Sequence, residues 1–156
     1  MAADVFRLIA QTQASYARTI DDDRLEDWPA FFADPCFYLI TTAESHREGL
    51  EAGLVFANSQ GMLRDRVSAL REANIYERHA YRHILGAPVM TADRGSEVES
   101  ETPFMVARIM RTGETDLFAT GRYLDTHKIE HGKALITRRV VVLDSSRIDT
   151  LLAIPL

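Results

Sequence analysis

"NIYERHAYRHIL", residues 74–85, sets His79 and His83 four positions apart, with Glu77 and Tyr81 close by. The backbone beneath them decides what they can do. On a helix, rising about 1.5 Å per residue, positions i and i+4 share a face and can share an ion. On a strand, advancing about 3.3 Å per residue, the same imidazoles stand about 13 Å apart and cannot. The flanking residues point to the strand. Tyr81 to Leu85 run into "LGAP", whose Gly86 and Pro88 oppose a continuing helix. His83 is therefore placed on a strand and His79 at or before its start. The zinc-protease pattern fails as well, because it needs Glu directly after the first His and Ala80 stands there. No metal is assigned to this chain.

Before that stretch the sequence has helical period. Phe6, Ile9, Gln13, Tyr16, Ala17 and Ile20 recur at three and four and predict an amphipathic helix over residues 3–20. "DDDR" stops it, and Asp21, Asp22 and Asp23 are read as caps for a second helix carrying Leu25, Trp28, Phe31 and Phe32 on one side. Pro29 is tolerable in its early turns. "CFYLITT", residues 36–42, reads as a first strand, and "MLRDRVSALREAN", residues 62–74, as a third helix with Leu63, Val67 and Leu70 facing apolar neighbours.

After it the period changes to two. "AYRHILGAPVM", "SEVESETPFMVARIM", "DLFATGRYLD" and "ALITRRVVVLD" are strand-like runs divided by the turn signals "TADRG", "RTGE" and "IEHGK". They predict a consecutive antiparallel meander, with an edge or bulge at Pro103, which lacks a ladder donor. Helices first and a curved antiparallel sheet afterwards define an α+β domain with its helices on one face. One domain accounts for residues 1–156, which are 46% hydrophobic and contain no repeat, linker or low-complexity tract.

A net charge of −5 with interspersed signs argues against nucleic acid, and no segment has the apolar length of a membrane span. The N-terminus lacks a basic region followed by an apolar run, so a cytoplasmic location is expected. Cys36 is the single cysteine; it excludes an internal disulfide and, beside Phe37 and Tyr38, reads as a packed thiol rather than a nucleophile. His127 and His131 are read as solvated turn residues and His46 as a surface residue. Asp21 to Asp23, Tyr16 and His83 form a second candidate set, for acid–base catalysis in the hollow of the sheet, against which stands the capping role of the aspartates.

Two features remain. Arg71, Asn74, Tyr76, Arg78, His79, Tyr81, Arg82 and His83 make a dense patch of forked donors and aromatics suited to a subunit interface, or to pairing within its own subunit. The ending "TLLAIPL" is apolar, so Leu152, Ile154 and Leu156 need cover, from this domain or from a partner.

Three stretches, "RDRVSALREANIYERHAYRHILG" (residues 64–86), "TPFMVARIMRTGETDLFATGRYLD" (102–125) and the closing "DTLLAIPL", together with "YARTIDDDRLEDWPAFF", resemble the small β subunit of Rieske non-haem-iron aromatic-ring-hydroxylating dioxygenases. Within that family it looks most like the terephthalate branch, with benzoate, anthranilate and salicylate systems as wider relatives. The resemblance implies a cone-shaped α+β fold of the nuclear transport factor and scytalone dehydratase type. It implies a non-catalytic small subunit joined to a large α subunit, commonly as α3β3 with β–β contacts. The Rieske [2Fe–2S] cluster and mononuclear iron would reside in that large subunit, and a reductase would act on the complex. The residues agree with this division, because a Rieske centre needs two cysteines and two histidines and this chain has one cysteine. The matching stretch would lie where subunits meet, placing Arg71 to His83 and the terminal Leu156 in the interface. A stand-alone acid–base isomerase or dehydratase of the same fold and a ligand-binding module are the rival functions.

Overall fold

The computed structural model describes residues 2–49, 53–73, 78–147 and 154–156. Helix α1 (Ala2–Asp21) buries Ile9, Gln13, Tyr16, Ala17 and Ile20 and turns Arg7 and Arg18 to solvent, as its spacing requires; Phe6, near its start, stays exposed. Its end corrects the capping role given to the aspartates. Asp23 takes a left-handed φ of 60°, while Arg24 N–H reaches back to the Thr19 carbonyl and Asp23 N–H to that of Ile20. These are the two bonds of a Schellman closure, so the aspartates finish α1 instead of starting its successor. The next element, Leu25–Phe31, is a 3-10 helix in which Arg24 offers no side-chain cap and Pro29 no amide donor. Leu25 and Trp28 are nonetheless buried.

Strand β1 (Phe32–Thr42) leads into the short helix α2 (Ala43–Arg47), capped by the Thr42 hydroxyl, then β2 (Val55–Ala57) and α3 (Gln60–Glu72), capped by Ser59. The remaining strands are β3 (His79–Leu85), β4 (Val89–Asp93), β5 (Glu97–Met110), β6 (Thr115–Glu130) and β7 (Lys133–Leu143). Their order is β2-β1-β7-β6-β5-β3, with β4 also on β5. The β5–β6–β7 meander is antiparallel as expected, but β7 pairs with β1 in parallel. The parallel partner is reached only after α2, β2, α3 and strands β3 to β6, so the connection from β1 to β7 is long enough to return in the same direction. The centre of this pair is buried on both faces: Tyr38, Ile40, Val141 and Leu143 face the main core, while Leu39, Val140 and Val142 form a second cluster behind them. That explains the unbroken "VVVL" run.

β3 and β4 lie end to end along β5, pairing its second and first halves respectively. Pro103 sits at the break between them, where Gly86 donates to its carbonyl. A Cβ on Gly86 would come within 2.5 Å of the Pro103 ring, so the break requires glycine there. Register shifts at Met90/Ala92, Val106/Ala107 and Thr126/His127 each insert a residue and bend the sheet around the helices.

Trp28 plugs the core, edge-on to Phe32 at 5.7 Å and to Tyr38 at 5.3 Å between centroids. Trp28→Ala is expected to destabilise the isolated domain by about 3 to 5 kcal/mol through the cavity it leaves. Urea unfolding measures this directly, and an unchanged midpoint would contradict a core role.

Candidate functional site

Polar chemistry inside the cone gathers in three places. At the first, Asp21 ends α1 against β3, where its Oδ2 accepts the His83 amide at 2.8 Å and its Oδ1 meets His83 Nδ1 at 2.7 Å. Both side chains are sealed, at 2% and 0% exposure. His83 Nε2 has no hydrogen-bond partner among the described residues. Both residues belong to the acid–base set of Asp21 to Asp23, Tyr16 and His83 read from the sequence, and the fold brings these two together, yet the carboxylate is also an anchor of helix to sheet through the backbone amide.

At the second, Arg139 of β7 grips Asp125 of β6 with two bonds of 2.7 Å, both side chains fully buried. Gln13 of α1 completes the ring, accepting from Arg139 and donating to Asp125 at 2.7 Å and to Thr102 at 3.2 Å. The guanidinium lies 4.3 Å from the Tyr16 ring centre and 4.0 Å from that of Tyr123. Burial alone would lower its pKa, but the Asp125 charge and hydrogen bonds outweigh this and hold it above its ordinary value.

At the third, the Tyr16 and Tyr38 hydroxyls both donate to the Leu156 backbone oxygen at 2.8 Å, and Tyr81 donates to the Ile154 carbonyl at 3.4 Å. Burial pushes all three phenols upward, so they remain neutral donors.

The residues of the predicted patch part company. On β3 the alternation turns His79, Tyr81 and His83 to one face and Ala80, Arg82 and Ile84 to the other. His79 is half-buried, its ring 5.4 Å from that of Tyr81; Tyr81 and His83 are buried, and Arg78, Arg82 and Ile84 exposed. Arg71 is bound within its own subunit, to Glu26 at 2.9 Å and to Asp23 at 2.8 Å. Leu156 is covered by its own domain. Asn74 and Tyr76 lie outside the described residues, as does Leu152. His79 and His83 share one extended strand, so about 13 Å separates them. Among the described residues no three His, Cys, Asp or Glu side chains gather as metal ligands. Cys36 is buried, and burial raises its thiol, the state of a packed side chain.

Sequence pattern does not reveal the Asp125–Arg139–Gln13 network, and the structure corrects the solvated-turn expectation for His127. This residue is fully enclosed on β6, because Gly121, Tyr123, Asp125 and His127 alternate onto the inner face. His131, at the turn itself, is exposed. The signal is present in the sequence, since continuing the period-two pattern from Tyr123 puts Asp125 and His127 inside.

A family model described as "Ring hydroxylating beta subunit" matches residues 15–150. The chain belongs to the ring-hydroxylating beta subunit family. It is 54% identical over 148 residues, 95% of its length and 96% of the relative's, to the beta 2 subunit of the terephthalate 1,2-dioxygenase terminal oxygenase component of Comamonas sp.. Its fold matches a chain from Novosphingobium aromaticivorans assigned as the beta subunit of an aromatic-ring-hydroxylating dioxygenase, with a TM-score of 0.92, 37% identity and 99% coverage of both. A protein from the same organism assigned as a scytalone dehydratase shares the fold alone, at a TM-score of 0.73 and 14% identity, covering 99% of this chain and 95% of that one. The cone-shaped fold that the resemblance implied is thereby established. No helix among the described residues is long and apolar enough to cross a membrane.

His127 makes the interior pH-sensitive. Burial foremost, with the nearby Arg139 charge adding to it and Asp125 opposing, lowers its pKa to about 4 from an unfolded value of 6.5. A neutral histidine in the folded state favours folding fully above pH 6.5, and the unfolded chain gains protons first as pH falls. Stability should therefore drop between pH 6.5 and about 4, by about 3 kcal/mol in all. Neither ring nitrogen has a partner among the described residues, so His127→Leu should flatten this slope. Denaturant unfolding at stepped pH compares the two chains; equal slopes would refute the assignment.

Proposed function

We propose that this chain is the small, non-catalytic assembly subunit of the terminal oxygenase of a ring-hydroxylating dioxygenase that acts on an aromatic carboxylate of the terephthalate kind. The observation that carries the proposal is the end-to-end identity of 54% with a terephthalate dioxygenase beta subunit. Residue chemistry supports it, since one buried cysteine and two histidines on one extended strand offer neither a Rieske ligand set nor a facial iron triad. Those centres are assigned to a large α subunit, with a reductase supplying electrons, an α3β3 stoichiometry and a cytoplasmic location.

The interface is assigned to the outward side of β3. Arg78, Arg82 and Ile84 are exposed there, and Ile84 pairs across the ladder with Met105, also exposed. Tyr81, His83 and Leu156 hold it in place from within. An arginine fork beside exposed aliphatic groups is the composition of an interface core.

A stand-alone acid–base enzyme is the second reading, favoured by the 2.7 Å contact of Asp21 with His83. Against it, the imidazole is fully enclosed, and Ile154 and Leu156 are buried in the same core cluster as Tyr81, the neighbour of His83. A base needs its substrate within hydrogen-bond reach.

Co-expression with a large subunit separates the readings. The assembly role predicts a colourless isolated chain and a brown, much heavier complex. The enzyme reading predicts turnover by the isolated chain, abolished by His83→Ala. Arg82→Ala and Arg78→Ala should leave the small subunit folded but weaken assembly by about 2 to 5 kcal/mol, as expected for one member of a charged pair buried on association. Sedimentation across a concentration series reads this, and unchanged assembly in both variants would move the interface elsewhere.

A further inference from the structure

The segment that closes the core is held as a ligand is held. Residues 154–156 lie outside every helix and strand, yet all three are buried, with Leu156 fully enclosed. Two phenol hydroxyls from separate elements, Tyr16 of α1 and Tyr38 of β1, converge on one Leu156 oxygen at 2.8 Å each. Convergent neutral donors on a single oxygen in a dry enclosure are the geometry of an oxygen receptor. The enclosure is aromatic. Tyr38 meets Trp28 and Phe32 edge-on, and Tyr16 meets Tyr123 edge-on at 6.0 Å. Further along, Tyr81 donates to Ile154 and lies 6.0 Å from the His83 ring. Two buried polar atoms of this enclosure, Tyr123 Oη and His83 Nε2, have no hydrogen-bond partner among the described residues. The chamber therefore holds more polar capacity than its present occupant uses.

We infer that residues 154–156 act as an internal ligand of a binding chamber, and that the chamber takes a small flat aromatic molecule bearing one carbonyl or carboxyl oxygen when this segment withdraws. The oxygen replaces that of Leu156 between Tyr16 and Tyr38, and the ring replaces the Leu156 and Ile154 side chains against the tyrosine and tryptophan edges. An occupant without an oxygen acceptor would strand two buried hydroxyls, so plain hydrocarbons are excluded. The two buried carboxylates that act on the lining tyrosines, Asp125 and Asp21, are already paired, with Arg139 and His83 respectively. The inference concerns the isolated chain and does not depend on the large subunit.

The test uses a variant ending at residue 153, titrated calorimetrically with benzoate and with benzamide, its fold checked by circular dichroism. Binding at least tenfold tighter than to the intact chain is expected, and the better of the two ligands reports whether the chamber prefers a charged or a neutral oxygen. Adding Tyr16→Phe and Tyr38→Phe to the shortened chain should abolish the gain. Equal binding with and without these hydroxyls would place the ligand elsewhere and overturn the inference. Should the shortened chain not fold, Leu156→Ala in the full chain loosens the segment. Millimolar benzoate or benzamide should then raise its melting temperature and leave that of the native chain unchanged. No gain in either variant would also overturn it.

Discussion

The guanidinium of Arg139 has no route to water, its side chain and that of Asp125 both being fully enclosed, so the surrounding elements must supply its partners. They come from three directions: Asp125 from the neighbouring strand, Gln13 from α1, and the ring faces of Tyr16 and Tyr123. Removing one member of such a buried pair typically costs about 3 to 5 kcal/mol, because a bare charge remains in a low-dielectric site, whereas a well-packed apolar replacement of both can be neutral. The network therefore does more to specify than to stabilise. It allows α1 one position over the sheet, the position that aims Tyr16 at residue 156 and Asp21 at His83.

That network also shows where sequence pattern stops being legible. The inward face of β7 begins with Ala134 and Ile136, and strict alternation would continue to Arg138 and leave Arg139 outside. The register shift opposite Thr126/His127 inserts Thr137 as an extra residue and reverses the parity, so Arg139 turns inward and Arg138 lies over the Phe37 ring at 4.3 Å. A bulge has no composition of its own, and one inserted residue moves every later side chain to the other face. β6 itself gains no residue between 121 and 127, and there alternation reads correctly once Tyr123 is taken as core. The helix–strand order, the strand at residues 79–85, the break at Pro103 and the core role of Trp28 are legible because each rests on local period or on a residue that forbids alternatives. The parallel β1–β7 pair is not, since the sequence of strands alone does not say which edge a long connection returns to.

The aspartates at residues 21–23 mislead for a related reason. Three acidic residues after a helix look like caps for the next one, but a helix can also close on a left-handed residue, and Asp23 provides it. Once α1 closes there, Asp21 still belongs to its last turn and projects inward, where a carboxylate is tolerable only with partners. His83 supplies both an amide and an imidazole. The pairing thus stems from the closure, and it fixes β3 against the helix whether or not any proton moves.

β3 consequently carries two kinds of work on its two faces. Its inward residues, Tyr81 and His83, are engaged by the closing segment and by α1, which encloses them while that segment is in place. Its outward residues, Arg82 and Ile84, have no comparable enclosure, and the only ion pair of Arg82 among the described residues is a long one, 3.9 Å to Asp21 through the strand's margin. Rigid support behind an exposed arginine lowers the entropy cost of docking it, because the strand need not order on association. The sealed inner face and the open outer face of this one strand are therefore coupled, because the packing behind β3 fixes how Arg82 and Ile84 are presented to solvent.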